Sequence, residues 1–556
     1  MTVPTPGSIT ARAPAVLSRH PLLLGSAALF ALRVALSLVR TGPLLVADEV
    51  GYLTNARVLA GGVAGQMTTA PFYRGGYSLV LAPVVALLDD PEAGYRVALV
   101  VNALLAASLA PLLYLMLTRT FRVSAERAVW PALAAAAYPS VTIFTQATLS
   151  ENLLLPLAVG WLVCVGALVD AAPRRRPAWA AATAVCAVWL WAAHGRMIVA
   201  PVITAAAFLV LAAARRGYMR AALLGVAVLA AGAVGVHELN AFLISRSWDG
   251  HAPDEVARRL STIESAGGVA AFLRNLVGMS WYLVVASLGT VVAAAASLLP
   301  RLRRPRTQDA VLAVALAACL GLLVESALSF RDLDRPDMLI YGRYAEVLLP
   351  PLIAVALVSL AGGRGRLLGA LGTIAVGTVA AAALRARVSS PGVANRWNVA
   401  SLPSPTFGLQ APVLVAAGLA ATVAIAALLL VARRAPTAVA PLALLLFLPT
   451  TAVAEREPVL SAQHSFYPAG WTSPAPAAGT AAAVAFENKY SDALWVYQWF
   501  LPHSKLLLVT PASATVPSRL VIATPDWAAR HTRLRPRVLW RDESRGRALF
   551  SVARRR

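Results

Sequence analysis

Residues 21–52 read PLLLGSAALFALRVALSLVRTGPLLVADEVGY: an apolar run from Pro21 to Val39, a short break, then the adjacent carboxylates Asp48 and Glu49. The run is long enough for a membrane helix, because the hydrocarbon core takes about 20 residues of helix. Charge is costly beside hydrocarbon, so carboxylates placed there either open a solvated loop or line a water-filled or catalytic cavity. The rest of the chain favours the cavity.

The chain has 556 residues, 58% hydrophobic and 13% charged. Long apolar runs recur from residue 21 to residue 453, too often for a set of soluble domains. This predicts a polytopic α-helical membrane protein. The net charge of +23 invites a nucleic-acid reading, but nearly all the basic residues are Arg, many in very short loops between apolar runs. That is the distribution of topology determinants, so no nucleic-acid partner is expected. Cys164, Cys186 and Cys319 fall inside apolar runs without metal-ligand spacing and read as small buried hydrophobes. Residues 1–20 are polar, and the run after them lacks a cleavage site; this reads as a cytoplasmic tail and an anchor.

Thirteen crossings are predicted, at 21–39, 97–117, 128–145, 151–170, 178–193, 197–214, 220–237, 279–299, 308–328, 344–361, 366–384, 411–431 and 437–453. The apolar stretch 76–88 is short and reads as re-entrant or interfacial. Leaving it out puts these seven Arg-bearing stretches on one side: Arg12 and Arg19; Arg119, Arg122 and Arg127; Arg174 to Arg176; Arg215, Arg216 and Arg220; Arg301, Arg303, Arg304 and Arg306; Arg364 and Arg366; Arg433 and Arg434. The positive-inside rule makes that side cytoplasmic. The expectation is a multi-pass plasma-membrane protein with its N-terminus inside. It has a membrane domain over 21–453, an external loop at 40–96 and an external region at 454–556. Asp48, Glu151, His194, Arg196, Glu238, Glu325 and Arg343 all map to the external face. A helix end explains any one of them; the collection points to a face that does chemistry.

After Ala454 the membrane pattern stops. Pro468 to Gly479 reads as a linker. Residues 505–510 and 519–524 read as strands, and 537–541 with 547–552 as a hairpin. Asp492 to Phe500 carries aromatics at helical or alternating spacing. A small external α/β domain is expected, either binding an acceptor or covering the cavity.

The order of motifs resembles a family. After one membrane helix comes DEVGYLTNARVLAGG (48–62), then PFYRGGY (71–77), then DDPEAGYRVA (89–98) leading into the next helix. This is similar to the GT-C superfamily of membrane glycosyltransferases, in the branch of protein O-mannosyltransferases and lipid A aminoarabinose transferases. There an Asp-Glu pair opens the first external loop, followed by a Tyr, here Tyr52, and a short amphipathic helix. The GlyArgTyr at 342–344 ahead of Pro350 and Pro351 is another family-like feature. The resemblance implies a polyprenyl-phosphate sugar donor and an acceptor glycan, lipid or protein among membrane lipids.

The chemistry fits on its own terms. A polyprenyl-phosphate sugar leaves as an anion, so the enzyme needs a carboxylate to take the acceptor's proton and cations to hold the phosphate. Asp48 is the expected general base of an inverting transfer, and Glu49 is expected to orient the acceptor or a metal. Arg343 is expected to contact the donor phosphate, with Tyr344 shaping the lipid entrance. Arg74, Arg196 and Arg33 are further cationic candidates; Arg33 reads equally as a snorkelling side chain. Tyr52, Tyr73, Glu151 and His194 are cavity candidates, against plainer readings as packing, a helix N-terminus and a tight turn. A divalent metal on Asp48 or Glu49 is left open, because no ligand spacing decides it. The competing function is a transporter or lipid flippase, which would gather its polar residues near the bilayer midplane.

Overall fold

The computed structural model describes residues 20–68, 70–214, 216–250, 259, 261–298, 306–330, 335–360, 364–387, 395–404, 409–487, 493–511 and 516–553. Arg12, Arg19, Arg215, Arg301, Arg303, Arg304 and Asp492 lie outside the described residues. Among the described residues, eight helices are long and apolar enough to cross a membrane: Pro91–Thr120, Glu151–Asp170, Gly195–Ala214, Met219–Ser247, Ala266–Ala286, Thr307–Ser329, Ala411–Arg434 and Pro436–Phe466. Each overlaps a predicted crossing, Ala266–Ala286 only in its last eight residues.

The other five predicted crossings are also helical, though shorter, broken or less apolar. Pro21–Ser37 and Ala345–Ser359 have fewer than 18 residues, and Arg176–Ala193 and Arg364–Arg387 fall outside the apolar set. The segment predicted at 128–145 is two helices, Ala125–Ala136 and Pro139–Phe144. Pro139 explains the break, since the residue before a proline is pushed out of the helical region, and Tyr138 sits at ψ 137°.

Two predicted boundaries move. The crossing placed at 279–299 starts earlier, at Ala266, and turns at Leu288 and Gly289, both at positive φ, before Thr290–Leu298. The last membrane helix does not stop at Ala454 but runs on through a π-helical turn, Glu455–Leu460, to Phe466. Charge in that extension hid it from a hydropathy reading.

The bundle has two chemically distinct ends. At one, Arg122 pairs with Asp170 at 2.8 Å, Arg176 donates to the carbonyls of Ala171 and Gly217, and Tyr218 Oη donates to the Val169 carbonyl. Thr307 Oγ1 also bonds Asp170. Four of the Arg-bearing loops, those at Arg122, Arg176, Gly217 and Thr307, therefore meet at this end. Glu151–Asp170 is the central helix, and its 20 residues span about 30 Å. Its other end, Glu151, faces the Asp48 region. The expected short element is the 13-residue helix Gly75–Leu87, packed on the helix Val46–Leu59 that carries Asp48.

The C-terminal region forms a five-stranded sheet: β1 (Ala483–Glu487), β2 (Lys505–Val509), β3 (Leu520–Ala523), β4 (Arg537–Asp542) and β5 (Arg547–Ser551), in the order β2-β1-β3-β5-β4. β1 runs parallel to β2 and β3; β5 is antiparallel to β3 and β4. The predicted strands and hairpin are present, and β1 is an addition. The helix Ala493–Phe500 has two buried faces. Leu494, Tyr497 and Leu501 pack on the sheet; Val496, Trp499 and Phe500 join the core of the membrane bundle.

Candidate functional site

Asp48 and Glu49 occupy the first turn of Val46–Leu59, where negative charge complements the helix dipole. Consecutive helical residues point about 100° apart, and the two carboxylates separate accordingly. Glu49 is fully buried. One of its oxygens accepts from the N–H groups of Leu44 (2.6 Å) and Leu45 (2.8 Å). The other accepts from Tyr95 Oη (2.7 Å), Thr148 N–H (2.7 Å) and Thr148 Oγ1 (3.1 Å). Burial raises its pKa, and these hydrogen bonds oppose that rise.

Asp48 faces the other way. Its Oδ1 accepts from Tyr73 Oη at 2.9 Å and its Oδ2 pairs with Arg343 Nη1 at 2.6 Å. Gly51 makes this approach possible: a Cβ there would lie 2.0 Å from the Tyr73 ring. Glu49 is expected from sequence to orient an acceptor or a metal, and in the structure it is held on every side. Its oxygens are occupied by five donors that anchor the helix. Asp48 and Glu49 share no hydrogen-bond partner among the described residues.

Glu151 is part of the site rather than a plain helix start. Arg343 Nε bonds Glu151 Oε1, and Ser150 Oγ lies 3.3 Å from Oε2. Tyr52, stacked edge-on against Tyr73, donates to Ser150 Oγ at 2.9 Å. One guanidinium thus holds two carboxylates. The Asp48 side chain retains 30% exposure, against 3% for Arg343 and none for Glu151. Asp48 is the member that a second molecule can reach. The place of Arg343 is set by Gly342, where a Cβ would meet the Tyr282 ring at 1.9 Å.

Tyr344 joins this triad to a second group. Its ring lies 5.4 Å from the Arg343 guanidinium, 4.4 Å from that of Arg196 and 4.1 Å from the His194 ring. Arg196 is held between Tyr344 and Phe330 (4.5 Å), with Tyr341 at 5.7 Å. Its Nε and Nη1 are buried and donate to no protein acceptor among the described residues. Buried N–H donors without a partner are rare and mark a place for a ligand or water. Arg74, the N-cap of Gly75–Leu87, stacks over Trp191 at 4.7 Å. Arg343 and Arg196 differ in what their nitrogens meet. The Nε and Nη1 of Arg343 are spent on carboxylates, whereas Arg196 has donors to offer.

Arg33 is not brought to the site. It is fully buried, so it does not snorkel, and its Nη2 donates to the Ala136 carbonyl at 2.6 Å. Tyr341 and Phe330, which complete the Arg196 cage, were not singled out from sequence. Tyr341 directly precedes the GlyArgTyr motif, a signal that was available.

Two crystal structures of ArnT from Cupriavidus metallidurans have this architecture. The one bound to undecaprenyl phosphate superposes with a TM-score of 0.55 at 17% identity, over 95% of this chain and 97% of that one. The apo state gives 0.53 at 17% identity, over 96% and 98%. The chain has the GT-C fold. No family model and no curated protein matches it by sequence.

Within this GT-C bundle, His194 reports the charge of the second group. Its Nδ1 accepts from the Arg196 N–H at 3.2 Å. Burial pushes its pKa well below 6.5, and Arg196, Arg343, Arg74 and Arg259 push it further down. A histidine that is neutral when folded gains protons on unfolding. Its contribution to stability is full above pH 6.5 and is lost as pH falls below that value towards the folded pKa. His194→Gln should therefore flatten the fall in melting temperature between about pH 7 and pH 5. Parallel pH profiles for the two proteins would contradict this assignment.

Proposed function

We propose that this chain is an inverting glycosyltransferase that moves a sugar from a polyprenyl-phosphate carrier to an acceptor hydroxyl. One observation carries the reading: a reachable carboxylate, Asp48, is paired with Arg343, and the Tyr344 ring that Arg343 lies against is also contacted by Arg196, a caged arginine with buried donors that meet no acceptor among the described residues. The acceptor oxygen attacks the anomeric carbon while Asp48 takes its proton. The bond from that carbon to the phosphate oxygen breaks on the opposite face, and the configuration inverts. Arg196, with Arg74 nearby, balances the charge of the departing phosphate. Capture of undecaprenyl phosphate by ArnT, a protein of the same fold, supports this donor class. The acceptor class is a glycan, lipid or protein hydroxyl.

The site lies at the end of the Glu151–Asp170 helix away from the Arg-bearing loops. By the positive-inside rule, that end is external and the N-terminus is cytoplasmic. A transporter would gather its polar groups at the midplane instead. Here Glu151 is the first residue of its helix, and Arg343 lies two residues ahead of the Ala345–Ser359 segment.

Arg196→Ala should weaken binding of polyprenyl phosphate about tenfold to a hundredfold, the scale of hydrogen bonds to a charged group. Arg196→Lys should recover only part of it, because a lysine lacks the fork that pairs two phosphate oxygens. Titrating purified protein with polyprenyl phosphate checks this, and unchanged affinity in both variants removes Arg196 from the phosphate site.

A further inference from the structure

The helix that carries Asp48 is gripped at its last turn by the C-terminal region, and the loop ahead of it is held by the end of the last membrane helix. At the last turn of Val46–Leu59, Arg57 Nη1 and Nη2 donate to the main-chain carbonyls of Gln498 (2.9 Å) and Trp499 (3.1 Å). These are carbonyls at the C-terminus of Ala493–Phe500, where a cation suits both the unpaired acceptors and the dipole. The guanidinium also lies 5.5 Å from the Trp499 ring. The Gln498 side chain reaches back the other way. Its Nε2 donates to Thr54 Oγ1 at 2.9 Å, and its Oε1 accepts from the Gln66 N–H at 2.7 Å. Ahead of the helix, Tyr467 Oη donates to the Pro43 carbonyl at 2.9 Å and Gln463 Nε2 to Thr41 Oγ1 at 3.1 Å. Arg57, Thr54 and Gln498 are all buried.

These contacts do more than cover a cavity. Arg57 and Thr54 lie nine and six residues beyond Asp48 in one continuous helix. A helix transmits a shift of one end to the other, because its backbone ladder is stiff. The two-faced helix Ala493–Phe500 adds the other half, since it is fixed to the sheet through Leu494 and Tyr497. We infer that Arg57 and Gln498 are positioning residues through which the C-terminal domain sets the placement of Asp48 against the Tyr344 pocket. The inference rests on the proposal that Asp48 acts in transfer.

The test uses the full-length protein in lipid nanodiscs with a polyprenyl-phosphate sugar. Three variants loosen the latch: Arg57→Ala, Gln498→Ala and Thr54→Val, the last almost unchanged in shape. Hydrogen exchange should rise across residues 46–59 and stay unchanged across 151–170. The kcat should fall by up to about 10²-fold, the cost of misplacing a reacting group by about 1 Å, while the donor KM stays within about twofold. Arg57→Lys should recover part of the lost kcat. Unchanged exchange across 46–59 in Arg57→Ala and Thr54→Val, or raised exchange with an unaltered kcat, overturns the inference. A wild-type protein without transfer activity would count against the role of Asp48; the exchange measurement would still decide whether the latch exists.

Discussion

Asp48→Asn should lower sugar transfer by about 10²–10⁴-fold, the usual contribution of a general base, while fold and donor binding are kept. The substitution preserves shape and removes only the charge and the basicity. Tyr73 can still donate to the amide oxygen, and Arg343 retains its bond to Glu151. Asp48 is also the exposed member of its cluster, so its neutralisation leaves no buried charge uncovered. Donor affinity is expected to persist because Arg196 lies against Tyr344 and makes no direct bond to Asp48 among the described residues. Single-turnover release of polyprenyl phosphate, measured beside a thermal melt, separates lost chemistry from lost fold. Near-normal transfer would remove Asp48 as the base.

Arg343→Ala should be the most damaging single change to stability. It strips the cation from Glu151, a fully buried carboxylate whose other contact is Ser150 Oγ at 3.3 Å. Breaking a buried pair by removing one partner typically costs about 3–5 kcal/mol. Arg343→Lys should rescue little, because one ammonium cannot hold two carboxylates in the geometry of the guanidinium fork. The double variant Arg343→Ala with Glu151→Gln should regain much of the loss, since no buried charge is then left unpaired. Denaturation of the four proteins in detergent checks this. Strict additivity of the two single changes would show that the pair is not coupled.

Much of this arrangement was legible in the sequence, and the gaps have physical causes. Apolar run length and the placement of arginines are local signals, so the helices and the Arg-bearing end could be read directly. Asp48 stood out because charge beside a membrane run needs a reason. Glu49 reads from sequence as pointing elsewhere and orienting the acceptor or a metal, because nothing local to it shows its buried donors. In the first turn of a helix the two side chains diverge, and five donors claim the inner one.

The pairing of Arg343 with Glu151 spans 192 residues, and nothing local to either announces it. For the same reason the sequence does not separate Arg343, two of whose nitrogens are held by carboxylates, from Arg196, two of whose nitrogens meet no acceptor among the described residues. Composition does not show which guanidinium is already spent. Strand β1 was missed because Ala481 to Glu487 continues an Ala-rich linker in composition, and its strand character comes from pairing with β2 and β3. The latch through Arg57 and Gln498 joins segments more than 400 residues apart, beyond any reading of spacing.

The central claim is that the chain breaks the bond between a sugar and a polyprenyl phosphate, using Asp48. The most direct measurement follows a sugar-labelled polyprenyl phosphate in sealed proteoliposomes, with bond cleavage and leaflet exchange read separately. The account predicts release of polyprenyl phosphate and label on an acceptor with the wild-type protein, and neither with Asp48→Asn. Movement of the intact lipid between leaflets with the sugar–phosphate bond unbroken, equally in both proteins, would contradict it and favour a flippase.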